Sequence, residues 1–394
     1  MSDNFSAPGS VTEYSSQSWF GRIGSALVGV VIGLLLVPGS IVLLAWNEGR
    51  AVNTALALAE GAGAVVDVGT GRVDPANQGR LVHVAGPLLV PGTLTDPAYG
   101  AAAPGAVKLL RHVEMFQWEQ KEHSETRKTM GGGSETVKTY TYDRIWSADV
   151  QDSSKFRAPA GHENPPFAVR SETKVAAQAS IGAFQLDRGL LDKLPTEEKL
   201  RLEKAPAPGK LVDGGVFTGA DPQSPALGDT RVTFGVVHAV EATVIAQQAG
   251  TGFTAYTTRN GRTLSMVSSG QVPAAAMFKE AMDDNKLLTW GLRLVGVVLM
   301  WIGFSLIMKP AAVLVSVLPF LEGIVGAGVA LVGLLLTVII TPIVIAIAWL
   351  AVRPLIGGGL LVAGAVAAFL VVTAMRKRRA AQMAVPGLLP QRMG

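Results

Sequence analysis

"IGSALVGVVIGLLLVPGSIVLLAW", from Ile23 to Trp46, is the stretch that decides the fold, because no side chain between Arg22 and Glu48 can ionise. As a helix rising about 1.5 Å per residue, these residues are long enough to cross the ~30 Å hydrocarbon core of a bilayer. A cleaved signal peptide is the alternative, but its apolar core has only about 7–15 residues and ends at a small-residue cleavage site. Asn47, Glu48 and Arg50 follow instead. We therefore predict an uncleaved transmembrane helix over residues 23–46.

Three more apolar runs lie in the last third of the chain, at about Leu288–Met308, Ile324–Ala351 and Leu355–Met375. Each is long enough to span a bilayer, whereas Pro310–Leu321 is too short and is expected to form an interfacial or re-entrant link. The predicted fold class is therefore a membrane α + β protein with four transmembrane helices, one N-terminal and three C-terminal, around a β-rich domain. The predicted divisions are a cytosolic tail (1–22), helix 1 (23–46), the middle domain (47–286), helix 2 (287–308), a link (309–323), helix 3 (324–352), helix 4 (353–375) and a basic tail (376–394).

The composition of the 394 residues fits this division. Charged residues make up only 16% of the chain, and cysteine is absent, which excludes disulfides and thiolate metal sites. The net charge of +4 could suggest nucleic-acid binding, but residues 47–286 hold 25 Lys and Arg against 27 Asp and Glu, and the remainder holds 9 against 3. The excess of positive charge therefore flanks the apolar runs, and we expect no nucleic-acid partner.

The basic cluster after the last run gives the predicted orientation. Arg376, Lys377, Arg378 and Arg379 place the C-terminal end in the cytosol by the positive-inside rule. Four crossings then put the N-terminus in the cytosol and the middle domain on the other side, an assignment that Arg353 alone opposes. The cluster is a candidate site for lipid headgroups, as a plain stop-transfer anchor or as a specific anionic-lipid site.

Small and charged residues in the apolar runs suggest how the helices pack. Ser25, Gly29 and Gly33 recur every four residues, a spacing that lets helix backbones approach closely, either within one subunit or between subunits. Arg293 lies near the start of the second run, and Glu322 lies just before the third. We expect both side chains to reach towards headgroups, and the lining of a cation path is the alternative.

The middle region has mostly strand-like patterns. Val107–Trp118 and Val137–Val150 predict a long hairpin with a tip at Gly131–Gly133, in which Trp118, Tyr140, Tyr142 and Trp146 are core or sheet-face residues. Arg231–Gly270 predicts a second hairpin with a type I′ turn at Asn260-Gly261. Ala51–Ala62 and Val272–Asn285 predict helices continuous with the neighbouring apolar runs, and Asp187–Lys204 predicts short helices broken at Pro195.

Signatures of catalysis and metal binding are missing from the sequence. The five histidines show no metal-ligand spacing, and the phosphate-loop, dinucleotide and nucleophile-elbow motifs do not occur. His162-Glu163-Asn164 is the most polar local group, and a turn with a locally bonded histidine is favoured over an acid–base site. We predict no catalytic residue, no metal and no cofactor.

Several separate motifs carry a family resemblance: "WNEGRAV" (Trp46–Val52), "GRLVHVAGPL" (Gly79–Leu88), "LLRHVEMFQWEQ" (Leu109–Gln120), "YDRIWSADVQDSSKF" (Tyr142–Phe156) and "GHENP" (Gly161–Pro165). Together with the order of the apolar runs, they resemble the LUMA family, transmembrane protein 43. The resemblance implies a multi-pass protein with a large extracytoplasmic or lumenal domain and no accepted catalytic residues. In animals it implies an organiser of the endoplasmic reticulum and inner nuclear membrane that self-associates and contacts lamina-linked proteins.

The abundance of Ala, Gly and Val suits a bacterium with high GC content, which has no lamina, so those partners are not transferred. A bacterial inner (plasma) membrane is expected, with the middle domain in the periplasm or outside the cell. In a eukaryote, the endoplasmic reticulum or the inner nuclear membrane is expected instead. Trp46, Asn47, Glu48 and Arg50 are predicted to form a stiff junction between the first helix and this domain.

Three functional hypotheses follow. A non-enzymatic scaffold would self-associate in the lipid bilayer and recruit a membrane or periplasmic protein. An ion channel or transporter subunit is the second hypothesis, and a lipid-binding module or membrane-embedded enzyme is the third.

Overall fold

The computed structural model describes residues 10–194 and 198–352, with isolated positions at 358, 359, 362, 364, 366 and 373. Within them lie helices α1 (Trp19–Ala64), α2 (Arg188–Leu191), α3 (Ala274–Leu314) and α4 (Pro319–Val352). Among the described residues, three helices are long and apolar enough to cross a membrane: those carrying the first, second and third predicted runs. The predicted fourth helix (353–375) and the basic cluster at 376–379 lie outside the continuously described residues.

The rest of the regular structure in the described residues consists of three short 3₁₀ helices (Pro75–Asn77, Ser153–Lys155 and Val315–Val317) and nineteen strands. The first ten are β1 (Ser10–Gln17), β2 (Val66–Asp67), β3 (Leu81–Leu89), β4 (Thr93–Asp96), β5 (Ala101–Pro104), β6 (Lys108–Lys128), β7 (Ser134–Ser147), β8 (Glu172–Val175), β9 (Gln178–Ile181) and β10 (Phe184–Asp187). The others are β11 (Glu198–Leu200), β12 (Lys210–Val212), β13 (Gly215–Thr218), β14 (Thr230–Val237), β15 (Glu241–Ala249), β16 (Gly252–Thr254), β17 (Tyr256–Thr257), β18 (Thr263–Leu264) and β19 (Met266–Ser269). The class is therefore α + β with membrane helices, as predicted.

The chain forms two compact units. One unit, the middle domain, contains the described residues of 10–22 and 53–285. The other, the helix bundle, contains residues 23–52 and the described residues from Lys286 onward.

The middle domain holds two large sheets. The first has the order β1-β7-β6-β14-β13-β12, with β11 on β14 and β8 on β6. The second has the order β10-β9-β3-β15-β16, with β19 on β15 and β2 parallel to β3. The apolar positions of each sheet fill a separate core. Phe234 and Val113 belong to the core of the first, and Phe184 and Val244 belong to that of the second.

The predicted hairpin is confirmed, and it is longer than its apolar residues suggested. Strand β6 pairs with β14 from Lys108 to Met115, and from there to Lys128 it pairs with β7. We call the part from Phe116 to Trp146 the arm. Gly131 and Gly132 adopt positive φ at its tip, a conformation that favours glycine.

The expected second hairpin is only partly correct. Strands β14 and β15 belong to different sheets, so the apolar stretch from Arg231 is divided at His238–Val240. Asn260 and Gly261 do form a turn between β17 and β18, but only Gly261 has a positive φ, and its N–H donates to the carbonyl of Thr258 at 2.9 Å. A type I′ turn needs two positive φ values, so the turn is type I followed by a left-handed glycine.

Two helical predictions are confirmed and one is only partly correct. Helix α1 continues without a break through Trp46–Val52 to Ala64, and α3 begins at Ala274 before the second apolar run. Ala57 and Leu58 pack with Met277 and Phe278 in a third core of the middle domain. Between Asp187 and Lys204, however, the described residues contain only the four-residue helix α2 and strand β11.

Part of the N-terminal segment belongs to the first sheet. Strand β1 pairs antiparallel with β7, from Ser10 opposite Thr141 to Gln17 opposite Ser134. Residues 10–17 therefore form an edge of the first sheet.

Candidate functional site: a polar cluster in the helix bundle

The helix bundle contains a polar cluster at the end of the first apolar run. A helix places side chains three or four positions apart on one face, and Trp46-Asn47-Glu48-Gly49-Arg50 continue α1 as such a helix. Asn47 is completely buried and Glu48 is 1% exposed. A buried carboxylate requires a cationic partner and further hydrogen bonds, since an isolated charge in an apolar interior is costly.

Glu48 has both. Its Oε1 accepts a hydrogen bond from Arg293 Nε at 2.7 Å, and its Oε2 accepts one from Arg293 Nη2 at 2.8 Å. Trp349 Nε1 of α4 donates to the same Oε2 at 2.6 Å. The carboxylate therefore receives three hydrogen bonds, two of them in the bidentate arrangement that suits a guanidinium.

Arg293 is held from a second direction. Its Cζ lies 4.6 Å from the centre of the Trp290 ring, a cation–π contact one helical turn earlier on α3. Only 16% of the Arg293 side chain is exposed. The structure therefore corrects the expectation that Arg293 reaches towards headgroups. Glu322, in the first turn of α4, is also buried rather than extended into the surroundings.

A second set of bonds joins the same two helices. Asn47 Nδ2 donates to the Thr289 carbonyl at 3.0 Å, and Arg50 Nη2 donates to Thr289 Oγ1 at 3.0 Å and to Asn47 Oδ1 at 3.2 Å. The predicted junction residues thus bond to α3. Trp46 differs, since it is 58% exposed. We call Asn47, Glu48, Arg50, Thr289, Arg293 and Trp349 the polar cluster.

Close backbone approach brings α1 and α3 together along the rest of the bundle. A Cβ atom on Gly33 would lie 2.6 Å from the Gly303 carbonyl oxygen, so only glycine fits there. Gly29 faces Leu306, whereas Ser25 is exposed and the neighbouring Ala26 is buried. Leu44, Met300 and Val344 form a small core with one residue from each of α1, α3 and α4.

His162 and Asn164, which stood out in the sequence, bind the 149–171 loop to the arm. His162 Nδ1 lies 3.0 Å from the Ala158 carbonyl, and its ring stacks on Tyr142 at 3.9 Å. Asn164 Oδ1 accepts from the Trp118 backbone N–H at 2.7 Å, and its Nδ2 donates to the Trp118 carbonyl at 2.9 Å. The carboxamide therefore bonds to the Trp118 backbone as a neighbouring strand would, and it caps the edge of β6 at this residue.

The sequence did not reveal the partners of Asn47, Glu48 and Arg50 on α3 and α4. Arg293, Thr289 and Trp349 lie more than 200 positions further along the chain, and only the general rule that charges in apolar helices pair could have indicated them. The described residues contain no group of three or more His, Asp or Glu able to hold a metal ion.

Comparison with known proteins identifies the family to which the chain belongs. The family model for transmembrane protein 43 matches residues 115–354, which include the arm and helices α3 and α4. The chain belongs to the transmembrane protein 43 family. This assignment confirms the resemblance to the LUMA family.

Relatives extend the match to nearly the whole chain. Transmembrane protein 43 of Homo sapiens is 35% identical over 387 residues, covering 92% of this chain and 95% of the human protein. The Mus musculus protein is 34% identical over 378 residues (90% and 94%), and the Drosophila melanogaster homolog is 32% identical over 354 residues (86% and 92%). No solved structure matches the chain.

Proposed function

We propose that this protein is a non-enzymatic membrane scaffold that self-associates and recruits partners through its middle domain. The observation that carries the proposal is the arrangement of donors around Glu48. Arg293 of α3 and Trp349 of α4 occupy both carboxylate oxygens, so the charge ties three helices together. A rigid bundle continuous with helices that enter the middle domain is suited to holding that domain at the membrane.

The proposed orientation follows the sequence. The middle domain is placed on the side of the membrane opposite the C-terminal end. The basic cluster at 376–379 supports a cytosolic C-terminal end by the positive-inside rule.

Helix α4 offers a surface for a second copy of the chain. Gly323 and Ala327 lie one turn apart and are exposed, and a Cβ on Gly323 would meet no atom within 4 Å. Small residues at this spacing allow helices of two copies to approach closely in a bilayer. Gly29 and Gly33, by contrast, already face α3 within one copy.

The arm offers a surface for another protein. Its exposed positions alternate in charge, with Lys121 between Glu119 and Asp143, and Lys138 against Glu122. Each of these ion pairs is solvent-exposed and weak. A partner protein with complementary charges can therefore replace them at a small cost in free energy.

Counting subunits in native membrane tests self-association. The fluorescently tagged full-length chain is extracted in native nanodiscs, and its copies per particle are counted by photobleaching. We expect particles with more than one copy, and Gly323→Leu should increase the monomer fraction. Gly328→Leu is the matched control, because Gly328 also has open space around it but lies on another face of α4. A single copy at every expression level would refute the proposal.

The buried charges also support an ion channel or transporter subunit as a second candidate, because ionisable residues among membrane helices often line ion paths. Flux measurements on purified protein in liposomes distinguish the two. A channel or transporter should conduct, and Glu48→Gln should change its flux. A scaffold should give no flux over a range of pH, with or without this substitution.

A further inference from the structure

His83 lies on the face of β3 that borders the third core of the middle domain. Leu81, two residues earlier on the same face, belongs to that core together with Ala57 of α1 and Phe278 of α3. The His83 residue is only 9% exposed. Polar atoms of a side chain so nearly enclosed need hydrogen-bond partners.

Both ring nitrogens of His83 contact an acceptor. Nδ1 lies 2.5 Å from Oδ1 of Asp67, which is the Cα partner of His83 on the parallel strand β2. Nε2 lies 2.9 Å from the carbonyl oxygen of Val272, two residues before α3 begins. An ionised carboxylate and a backbone carbonyl can only accept, so each bond requires an N–H on the ring. Since a neutral imidazole carries one N–H and a protonated one carries two, both bonds form together only when His83 is protonated.

The two acceptors differ in how well they tolerate the loss of one proton. Val272 is half-buried, and its own N–H donates to Thr243 Oγ1 at 3.0 Å, so its backbone is bound to the second sheet at two atoms. The Asp67 side chain is 82% exposed, so water can hydrate it instead. A neutral ring should therefore keep its N–H on Nε2, facing Val272, and lose the bond to Asp67.

Other charged groups on the elements around the third core are bonded elsewhere or exposed. Those on α1, β15 and α3 that have partners form the pairs Glu60–Arg259, Glu241–Gln271 and Lys279–Asp283. The remaining ones, Arg262, Glu280 and Asp284, are exposed. Within the part of the chain that the structure describes, Asp67 is therefore the charged group bonded to the His83 ring.

We propose that His83 is a proton-dependent lock that fastens β2, the strand after α1, to the second sheet. With the ring protonated, Nδ1 donates to Asp67. With the ring neutral, β2 is held by a short backbone pairing, because it has only two residues and the following Val68 N–H donates to the His83 carbonyl at 3.0 Å.

The lock has a definite sign and range of pH. It needs the second proton, so it is present in acid and is lost as the pH rises and His83 becomes neutral. Histidine is the side chain whose charge ordinarily changes between about pH 5 and 8. The lock goes beyond the scaffold function, since it acts within the middle domain of one copy and requires no partner.

Hydrogen exchange of β2 measures the lock in the full-length protein in nanodiscs. Exchange of peptides covering residues 66–68 is compared with that of β15, in the same sheet, at about pH 5 and about pH 8.5, after correction for the intrinsic pH dependence. We expect β2 to be protected more strongly in acid, by about three- to tenfold. A fully enclosed bond to a charged group would give a larger factor, but the exposure of Asp67 weakens this one.

Asp67→Asn separates the proton on His83 from other causes of pH dependence. A carboxamide can accept from a protonated Nδ1 and donate to a neutral one, so this variant should protect β2 equally at both pH values. Asp67→Ala should leave β2 weakly protected at both. His238→Gln is the matched control and should keep the difference, because His238 is exposed and its Nε2 contacts the Pro104 carbonyl at 3.3 Å.

Equal protection of β2 at the two pH values in the unmodified protein would overturn the lock. A difference that persists in Asp67→Asn would also overturn it, because the difference would then come from another titrating group. Neither result depends on the number of copies per particle, so the lock and self-association are tested separately.

Discussion

Glu48 of α1 and Arg293 of α3 are joined by two hydrogen bonds of 2.7 and 2.8 Å, between residues 245 positions apart in the chain. Glu48 follows the first apolar run and is almost fully buried, and Arg293 lies near the start of the second run. The pair is neutral as a unit, and Trp349 supplies a third hydrogen bond from α4. An interaction of this kind stabilises one arrangement of the helices, since each charge is costly without the other.

Trp349→Phe should destabilise the bundle more than Trp301→Phe does. Trp349 Nε1 donates to a buried carboxylate, whereas Trp301 Nε1 donates to the neutral Ala330 carbonyl at 2.9 Å. Hydrogen bonds to charged groups contribute about 1.5–3 kcal/mol and neutral ones about 0.5–1.5 kcal/mol. Thermal unfolding in nanodiscs measures the difference, and equal losses for the two variants would argue against the role assigned to Trp349.

Gly33→Ala should destabilise the protein, because the added Cβ would lie 2.6 Å from the Gly303 carbonyl oxygen and force α1 away from α3. Gly39→Ala is the control in the same helix, since a Cβ there meets no atom within 4 Å. Replacing a helical glycine by alanine in open space should be neutral or stabilising by up to about 1 kcal/mol. If the two variants unfold at the same temperature, the close approach is not part of the folded bundle.

Asn164→Ala should release the 149–171 loop from the arm. It removes the carboxamide's bonds to the Trp118 N–H and carbonyl, and a third to the Gln151 carbonyl at 3.1 Å. Leaving such groups unpaired costs about 1–3 kcal/mol. Hydrogen exchange at the Trp118 amide should accelerate. Asn164→Asp retains the acceptor, so it should protect that amide better than alanine does. Unchanged exchange in the alanine variant would count against the edge-capping role.

The same loop should loosen in acid. The Ser154 hydroxyl hydrogen bond lowers the pKa of Asp152, and the backbone N–H groups of Glu163 and Gly161 lower the pKa of Glu163. A carboxyl whose pKa is lower in the folded state stabilises it above the unfolded pKa of about 4, and this stabilisation is lost as pH falls through the folded value.

Amide exchange of Gly161, corrected for its intrinsic pH dependence, should therefore be faster relative to the arm strands at pH 3 than at pH 7. Asp152→Asn with Glu163→Gln should largely remove this dependence. Equal protection of Gly161 at both pH values in the unmodified protein would contradict the prediction.

Local sequence patterns predicted the helices and strands that depend on residues close together in the chain. The uncharged run 23–46 and the helix-forming residues after it predicted the continuous α1, because neither proline nor glycine clusters interrupt Ala51–Ala62. The alternation at Tyr140–Trp146 likewise predicted β7. The turn at Asn260-Gly261 was located correctly, but its type depended on the φ of Asn260, which the dipeptide does not determine.

Such patterns could not predict contacts between residues that are far apart in the sequence. Strand β1 contains polar residues throughout, so nothing in "SVTEYSSQ" indicated that it would form the edge of a sheet. A carboxylate at the end of an apolar run, such as Glu48, is expected to pair with a cation. The sequence offers Arg50, Lys286 and Arg293 near the ends of apolar runs, and it does not show which of them is the partner. The choice of Arg293 depends on how α1 and α3 pack at Gly33 and Gly303, a contact set by three-dimensional shape.

A double-mutant cycle between Glu48 and Arg293 tests the central claim most directly. The free energy of unfolding is measured in lipid bicelles for the unmodified protein, Glu48→Leu, Arg293→Leu and the double variant. Each single substitution strands a buried charge and should cost about 3–5 kcal/mol, whereas the double variant should lose less than the sum, with a coupling of about 1–3 kcal/mol. Losses that simply add would show that the two side chains do not hold the helices together.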